Sequence, residues 1–188
     1  LEQLIEILSD KGVDDKNIFE IALELVITWI NRILFIKLLE ARLINWHQND
    51  AEKYKILKIE SISDYDWLNA LFFGALAKPI ESRSTRLDRF QKVPYLNSSL
   101  FEESETEKKY GITISNLMSG DVIVYPNTVL RDEHGKCYYK YYKLNALQYL
   151  FRFLDSYDFG LEYTGELFLT QSKTIINPAV LGLIFEKI

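Results

Sequence analysis

Apolar residues spaced three or four positions apart dominate the first quarter of the chain. They predict a short helix over residues 1–9, which ends before Gly12. Asp14 and Asp15 then provide the capping group and first-turn charge for a second helix, which we expect to reach about His47. The N-terminal region is therefore predicted to be two helices joined by a tight turn.

The second of these helices is apolar on most of its sides. Between residues 18 and 46 the polar interruptions include Glu24, Asn31, Arg32, Lys37, Glu40 and Arg42. They recur too often for a segment that faces hydrocarbon over about twenty residues, so we interpret the helix as the buried centre of a helical domain. Ile27, Ile30 and Leu34 lie on one stripe at three- and four-residue spacing, and we expect at least two of them in the core.

Further along, helical and extended patterns alternate. A helix over residues 67–73 is predicted after Asp64 or Asp66, residues 80–104 are predicted to be ordered loop, and Asn145 should cap a helix over 147–156. Extended structure is predicted for residues 122–125, for a hairpin that turns at Gly135 between 128–130 and 137–139, and for a second hairpin around Gly165. Asn177 followed by Pro178 predicts one more helix start.

These patterns together predict a mainly α fold built on one long buried helix, with a small β-hairpin element. At 188 residues the chain is expected to be a single helical domain over 1–188, with small β elements within 120–143 and 159–170. It begins without methionine and ends within a helical pattern, which suggests a piece of a longer protein.

Net charge and cysteine content indicate which binding partners and which cellular compartment to expect. The net charge of −5 argues against wholesale binding of polyanions but leaves room for a local basic surface. Cys137 is the only cysteine, so the chain can form no internal disulfide, and together with the lack of a signal-peptide pattern this indicates the reducing cytoplasm.

Candidate chemistry is sparse. Two histidines and one cysteine do not supply the usual set of zinc ligands, and His134 with Cys137 would make a poor nucleophile–base pair around a tight turn. No glycine-rich phosphate loop is present. Glu107, Lys108 and Lys109 with Asp88 fit the letters of a metal-dependent nuclease, but their acidic surroundings favour a solvated face. We therefore expect no catalytic, metal or cofactor-binding residue in this chain.

Two local basic stretches are the remaining candidates for binding. The first has four cations against two carboxylates, and its cations are Arg83, Arg86, Arg89 and Lys92. The second lies within residues 131–152, has five cations against two carboxylates, and contributes Lys136, Lys140 and Lys143 as candidates. Tyrosines alternate with lysines over 137–143, a pattern that suits contact with a nucleic-acid backbone. A two-faced strand, with tyrosines on a core and lysines in water, fits the same residues.

Four separated segments together resemble the helical region of type IIG restriction-modification enzymes, which carry an endonuclease and an adenine-N6 DNA methyltransferase on one chain. The segments are Asn31 to Glu40, Val93 to Glu102, Tyr149 to Phe159 and Ile176 to Lys187. The resemblance covers about residues 18–188. In that family the region lies between the nuclease and the methyltransferase core. Many relatives have Gly-Gly where this chain has Ser98 and Ser99.

The resemblance implies a helical connector that positions the nuclease and the methyltransferase and lies close to DNA. It also implies that the parent enzyme uses S-adenosylmethionine and Mg²⁺, with DNA and the two flanking domains as partners and no membrane. The family's methyl-transfer motif, Asn or Asp followed by Pro-Pro and an aromatic residue, is absent: Asn177 and Pro178 are followed by alanine. The resemblance therefore assigns no catalytic residue to this chain. A protein-interaction scaffold without nucleic-acid contact is the alternative.

Overall fold

The computed structural model describes residues 1–132, 134–159 and 174–176. Its helices are α1 Glu2–Asp10, α2 Asp15–Trp46, α3 Ala51–Tyr54, α4 Tyr65–Ala70, α5 Glu105–Tyr110 and α6 Ala146–Asp155. A π-helical turn, Leu71–Leu76, continues directly from α4, and short 3₁₀ turns occupy Ile80–Ser82, Thr85–Phe90, Ser99–Phe101 and Ile114–Asn116. The strands are β1 Asp121–Val124, β2 Tyr142–Asn145, β3 Tyr157–Asp158 and β4 Thr174–Ile175. The fold is mainly helical with a small β-hairpin element, as predicted.

The strands form two small sheets. β1 pairs antiparallel with β2, with Ile123 opposite Lys143 and Val124 opposite Tyr142, and β3 pairs parallel with β4. The strand predicted over residues 122–125 is confirmed as β1. The hairpin predicted to turn at Gly135 is reduced to one isolated bridge between Arg131 and Cys137, although Gly135 does take the left-handed conformation of a turn. The hairpin around Gly165 and the helix start at Asn177 lie outside the described residues.

The described residues group into two compact units. The first contains Leu1–Leu34 and Glu60–Ser119, and the second contains Phe35–Ile59 and the described residues from Gly120 onward. Helix α2 contributes residues 15–34 to the first unit and 35–46 to the second. None of the helices within the described ranges combines the length and the apolar character that crossing a membrane requires.

The predicted bounds of α2 are confirmed, but the predicted buried stripe is wrong. Ile30 is 46% exposed, and Ile27 and Leu34 are only partly buried. The stripe that is buried instead follows three- and four-residue steps through Ile18, Ala22, Leu25, Trp29, Ile33 and Ile36. It also includes three charged residues, Arg32, Lys37 and Glu40. Because burying an unpaired charge is costly, these three residues must find partners inside the fold.

Candidate functional site

The most buried charged group of the first unit is a pair between α2 and α5. Arg32 and Glu107 are each 1% exposed. Two parallel hydrogen bonds join them, from Arg32 Nη1 to Glu107 Oε1 at 2.6 Å and from Nη2 to Oε2 at 2.7 Å. This is the bidentate geometry that makes arginine–carboxylate pairs strong. The sequence-based interpretation of Glu107 as part of a solvated face is therefore wrong.

Each remaining polar atom of this pair also has a partner. Glu107 accepts hydrogen bonds from Trp29 Nε1 and from the Ser104 N–H, both at 2.7 Å. Arg32 donates to the carbonyl oxygens of Leu100 and Glu102, also at 2.7 Å each. Burial alone would raise the pKa of Glu107, but the hydrogen bonds and charge of Arg32, with the bonds from Ser104 and Trp29, lower that pKa below its usual value. A carboxylate held ionised with all acceptors occupied is a structural anchor, and it has no free lone pair for proton transfer.

The second unit has its own buried cluster of charges. Lys37 Nζ donates to Glu40 Oε1 and to Asp155 Oδ1, each at 2.6 Å, and Lys55 Nζ donates to Asp155 Oδ2 at 2.5 Å. Glu40 Oε2 accepts the backbone N–H groups of residues 56 and 57 at 2.8 Å. The cluster fastens α6 and the segment after α3 to the C-terminal third of α2.

The pKa shifts of this cluster favour the charged forms. Burial would lower the pKa of Lys37, but the neighbouring carboxylates of Glu40 and Asp155 raise it above its usual value. Burial would raise the pKa of Asp155, and the two lysines lower it instead. An open cleft of about 510 Å³ lies over these groups and is also lined by Ile44 and Tyr157. Four of its charged lining residues, Lys37, Glu40, Lys55 and Asp155, already bond to one another or to backbone N–H groups.

Within the described residues, no group of three or more histidine, cysteine or acidic side chains is placed to hold a metal ion. Cys137 is partly buried next to its bridge with Arg131. Asp132 directs its carboxylate at the backbone N–H groups of Lys136 and His134, and these hydrogen bonds lower its pKa. The Asp132 carboxylate therefore stabilises the turn around Gly135.

The candidate cations of the first unit have different surroundings. Arg83 is half-buried and donates to the carbonyl oxygens of residues 78, 90 and 93, at 3.1, 3.0 and 2.8 Å. Burial lowers the pKa of Arg83, against the opposing charge of Glu81. The Arg83 guanidinium thus closes a loop through Nε and Nη1, and its Nη2 is buried with no hydrogen-bond partner among the described residues, which places the group poorly for a ligand on the surface.

Arg86 and Arg89 are exposed and share one aromatic support. Their guanidinium carbons lie 5.0 and 3.5 Å from the centre of the Trp67 ring. Arg89 also donates to the Ser61 carbonyl oxygen at 3.1 Å. Stacking on a ring restricts a guanidinium while leaving its edge N–H groups free to bind an anion. Arg86 and Arg89, with the exposed Lys92, are therefore the cations of this stretch best placed for phosphate contact.

The candidate lysines of the second unit are all exposed. Lys136, Lys140 and Lys143 make no side-chain ion pair with any described residue. The tyrosines between them do not lie on a core in the way that a two-faced strand requires: Tyr139, Tyr141 and Tyr142 are 77%, 70% and 54% exposed. Among the tyrosines of residues 137–143, Tyr138 packs on the small core of Val124, Leu130 and Leu144, as does Tyr149 from α6.

Sequence reasoning missed both buried clusters, although part of their signal was visible. Arg32, Ile36 and Glu40 are four residues apart, and so they share a stripe of a helix that is otherwise apolar. Ser104 and Glu107 have the spacing of a capping box, which the structure forms at the start of α5. Which carboxylate would meet Arg32 depends on chain folding over 75 residues, and no local pattern encodes it.

These features define a helical protein with internal charge clusters and exposed basic and aromatic surface. The sequence profile of the family described as "Domain of unknown function (DUF7814)" matches residues 1–176, and the chain belongs to that family. Comparison with curated proteins gives no match, and comparison with solved structures gives none either.

Proposed function

We propose that this chain is a connector domain of a type IIG-like restriction-modification enzyme in bacterial defence. It positions an endonuclease and an adenine-specific DNA methyltransferase relative to each other and contacts the DNA backbone. The parent enzyme would use S-adenosylmethionine and Mg²⁺ in its flanking domains. It would work in the cytoplasm, which suits a chain with Cys137 as its one cysteine.

The proposal rests mainly on the hydrogen bonds that join the segments with the resemblance to one another. Arg32 of the first segment bonds to two carbonyl oxygens of the second, those of Leu100 and Glu102. Lys37, also in the first segment, bonds to Asp155 of the third. The segments on which the resemblance rests thus include residues that hold each unit together. We infer that the buried bonds of Arg32 and Lys37 help to fix one internal arrangement of each unit. A domain that positions its neighbours needs such a fixed internal structure.

Contact with DNA would be mainly to phosphates. Arg86, Arg89 and Lys92 provide cations in the first unit, and Lys136, Lys140 and Lys143 provide them in the second. Arginine and lysine contacts to phosphate fix position on the duplex without reading its sequence. The net charge of −5 opposes such binding, so the neighbouring methyltransferase is needed for high affinity.

The first test is to follow the coding sequence beyond residue 188. We expect a glycine-rich S-adenosylmethionine loop and then Asn-Pro-Pro-Tyr or a close variant of it. The product of the complete gene, incubated with duplex DNA and S-adenosylmethionine, should form N6-methyladenine. A complete gene product with neither motif and no methyl transfer would refute the assignment.

The second test concerns DNA contact by the complete gene product. Changing Lys136, Lys140 and Lys143 together to glutamine should weaken binding to cognate and random duplexes by a similar factor. It should also flatten the log–log salt dependence by about 0.9 for each phosphate that the variant no longer neutralises. The matched control changes three exposed lysines of the first unit, Lys11, Lys16 and Lys108, and should leave the slope unchanged.

Two outcomes would contradict the assignment of these lysines. Loss of affinity for the cognate site alone would show that they read bases. Unchanged binding to both duplexes would leave them as solvated surface. The second candidate, a protein-interaction scaffold, would then be preferred for this face, and the acidic net charge is the observation that favours it.

A further inference from the structure

The β1–β2 sheet has one face turned toward its own core and one turned away. Side chains on opposite strands share a face when their residues are directly paired. Val124 and Leu144 lie on the covered face and are buried. Ile123 and its partner Lys143 lie on the other face, where Ile123 is 47% exposed and Lys143 is exposed. An apolar side chain beside a cation is thus left uncovered in the middle of the hairpin.

Two tyrosines extend this uncovered face. Tyr125 comes two residues after Ile123, and Tyr141 comes two residues before Lys143, so the alternation places both on the same side. The two segments stay adjacent beyond the strands, because the Asn127 N–H donates to the Tyr138 carbonyl oxygen at 3.1 Å. The rings meet edge to face with centroids 5.5 Å apart, and each ring is more than half exposed. We call Ile123, Tyr125, Tyr141 and Lys143 the tyrosine face.

The charges around the tyrosine face are mostly positive. Lys140 precedes Tyr141 and is exposed, and Tyr139, which precedes Lys140, is the most exposed of the described tyrosines. Of the nearby described carboxylates, Asp132 is occupied by the turn at Gly135. Asp121 lies on the same face two residues before Ile123, at the end of β1 away from the two tyrosines, so the lysines outnumber it there. A polyanion with flat apolar parts complements this arrangement of rings and cations.

We propose that the tyrosine face binds unpaired nucleotides of DNA, with bases stacked on Tyr125 and Tyr141 and phosphates held by Lys140 and Lys143. The choice of DNA rests on the proposed function, whereas the preference for unpaired bases rests on the rings. Bases inside a duplex already stack on each other and present only edges and phosphates to a surface. A single strand exposes base faces, and stacking on aromatic side chains is how proteins hold it without regard to sequence.

The chemistry also separates this partner from a protein. A protein partner would bury the tyrosines equally well, but Lys140 and Lys143, which pair with no described carboxylate, would then need an acidic complement. A nucleic-acid strand supplies a negative charge and a planar apolar ring at every step. One repeating ligand therefore satisfies both kinds of side chain on this face.

The experiment uses the complete gene product with three probes of similar length: a labelled oligothymidylate, a mixed-sequence duplex and heparin, which has the charge without bases. Replacing Tyr125 and Tyr141 together with leucine should weaken oligothymidylate binding about tenfold or more and leave heparin binding unchanged. The double phenylalanine variant keeps the rings and should bind as the wild type does. Tyr95→Leu, at an exposed tyrosine of the first unit, is the matched control.

A second measurement locates the contact without any substitution in the protein. Oligothymidylate carrying 5-iodouracil, irradiated on the wild-type protein, should crosslink to Tyr125 or Tyr141 in peptide mapping. Crosslinks only at other sites would overturn the proposal, and so would leucine variants that bind the single strand normally or lose heparin equally. Capture of a protein on the tyrosine face with no single-strand binding would overturn it too. Methylation of duplex DNA by the wild-type product tests the proposed function separately, so either proposal can fail while the other stands.

Discussion

The buried pair of Arg32 and Glu107 allows a quantitative test of how the first unit is held together. Substituting Arg32 with methionine leaves a carboxylate that is 1% exposed without its main partner. It also removes the donor from the carbonyl oxygens of Leu100 and Glu102. Stranding a buried charge costs about 3–5 kcal/mol, and the two unmet carbonyls place this variant near the upper end.

The partner substitution should be milder. In Glu107→Gln the amide oxygen can still accept hydrogen bonds, but the amide N–H₂ faces N–H donors of Arg32 or its neighbours. We expect this variant to lose about 3 kcal/mol of unfolding free energy. The double variant Arg32→Met with Glu107→Leu removes both charges. Its loss should fall short of the sum of the losses of Arg32→Met and Glu107→Leu measured singly by about 2 kcal/mol or more, since neither partner is left as a stranded charge. Glu105→Gln, at an exposed position of the same helix α5, is the control and should change stability little.

Urea unfolding followed by circular dichroism and tryptophan fluorescence measures these differences, and pH adds an independent check. The pKa of Glu107 is lower in the folded protein than its ordinary value of 4.5. Its contribution is therefore fully present above the unfolded pKa and is lost as the pH falls through the folded pKa. The stability gap between wild type and Glu107→Gln should narrow on acidification below about pH 4.5. A cost under about 1 kcal/mol for Arg32→Met, or additive losses in the double variant, would show that the pair is screened like a surface pair.

Three further predictions concern burial, catalysis and charge. Leu25→Ala, at a fully buried position of α2, should lower the free energy of unfolding by about 2–5 kcal/mol. Ile30→Ala, at an exposed position of the same helix, should lower it by less than about 1 kcal/mol, and the reverse order in urea unfolding would contradict the observed buried stripe. The isolated chain, incubated with DNA, Mg²⁺ and S-adenosylmethionine, should yield neither nicks nor methyladenine; reproducible activity of pure chain would refute this. Asp155→Asn should destabilise the chain at neutral pH, because Lys37 and Lys55 lose their shared carboxylate, and this difference should vanish as the pH falls below the depressed pKa of Asp155.

Helix positions are predictable where a capping residue and a periodic run coincide. Asp64 caps α4 and Asn145 caps α6, each through its side-chain oxygen. The sequence pattern indicates Asn145 directly and narrows the start of α4 to Asp64 or Asp66. The predicted bounds of α2 are also correct to about a residue. Local chemistry determines these features, because a cap and its helix are adjacent in the chain.

The face that α2 buries is not predictable in the same way. Apolar residues occur on most sides of this helix, so the stripe of Ile30 and Leu34 is as suitable by pattern as the stripe of Leu25 and Trp29. The buried stripe is distinguished by Arg32, which lies on it and pairs with the Glu107 carboxylate of α5. For the candidate site, exposure of the tyrosines cannot be read from the alternation of tyrosine and lysine, because Tyr138 and Tyr139 lie well before β2 and outside the paired strands.

The buried charges of α2 also determine the order in which ion pairs can form while the protein is being synthesised. When α2 leaves the ribosome it carries Arg32 without a partner, since Glu107 is translated 75 residues later. Lys37 can pair at once with Glu40, but Asp155 follows only after 118 residues. The first unit can therefore complete its ion pair while much of the second is still being made. During that interval we expect the nascent helix to expose an apolar surface together with an unpaired guanidinium, and exposed apolar surface of this kind is what makes a partly folded chain prone to aggregation.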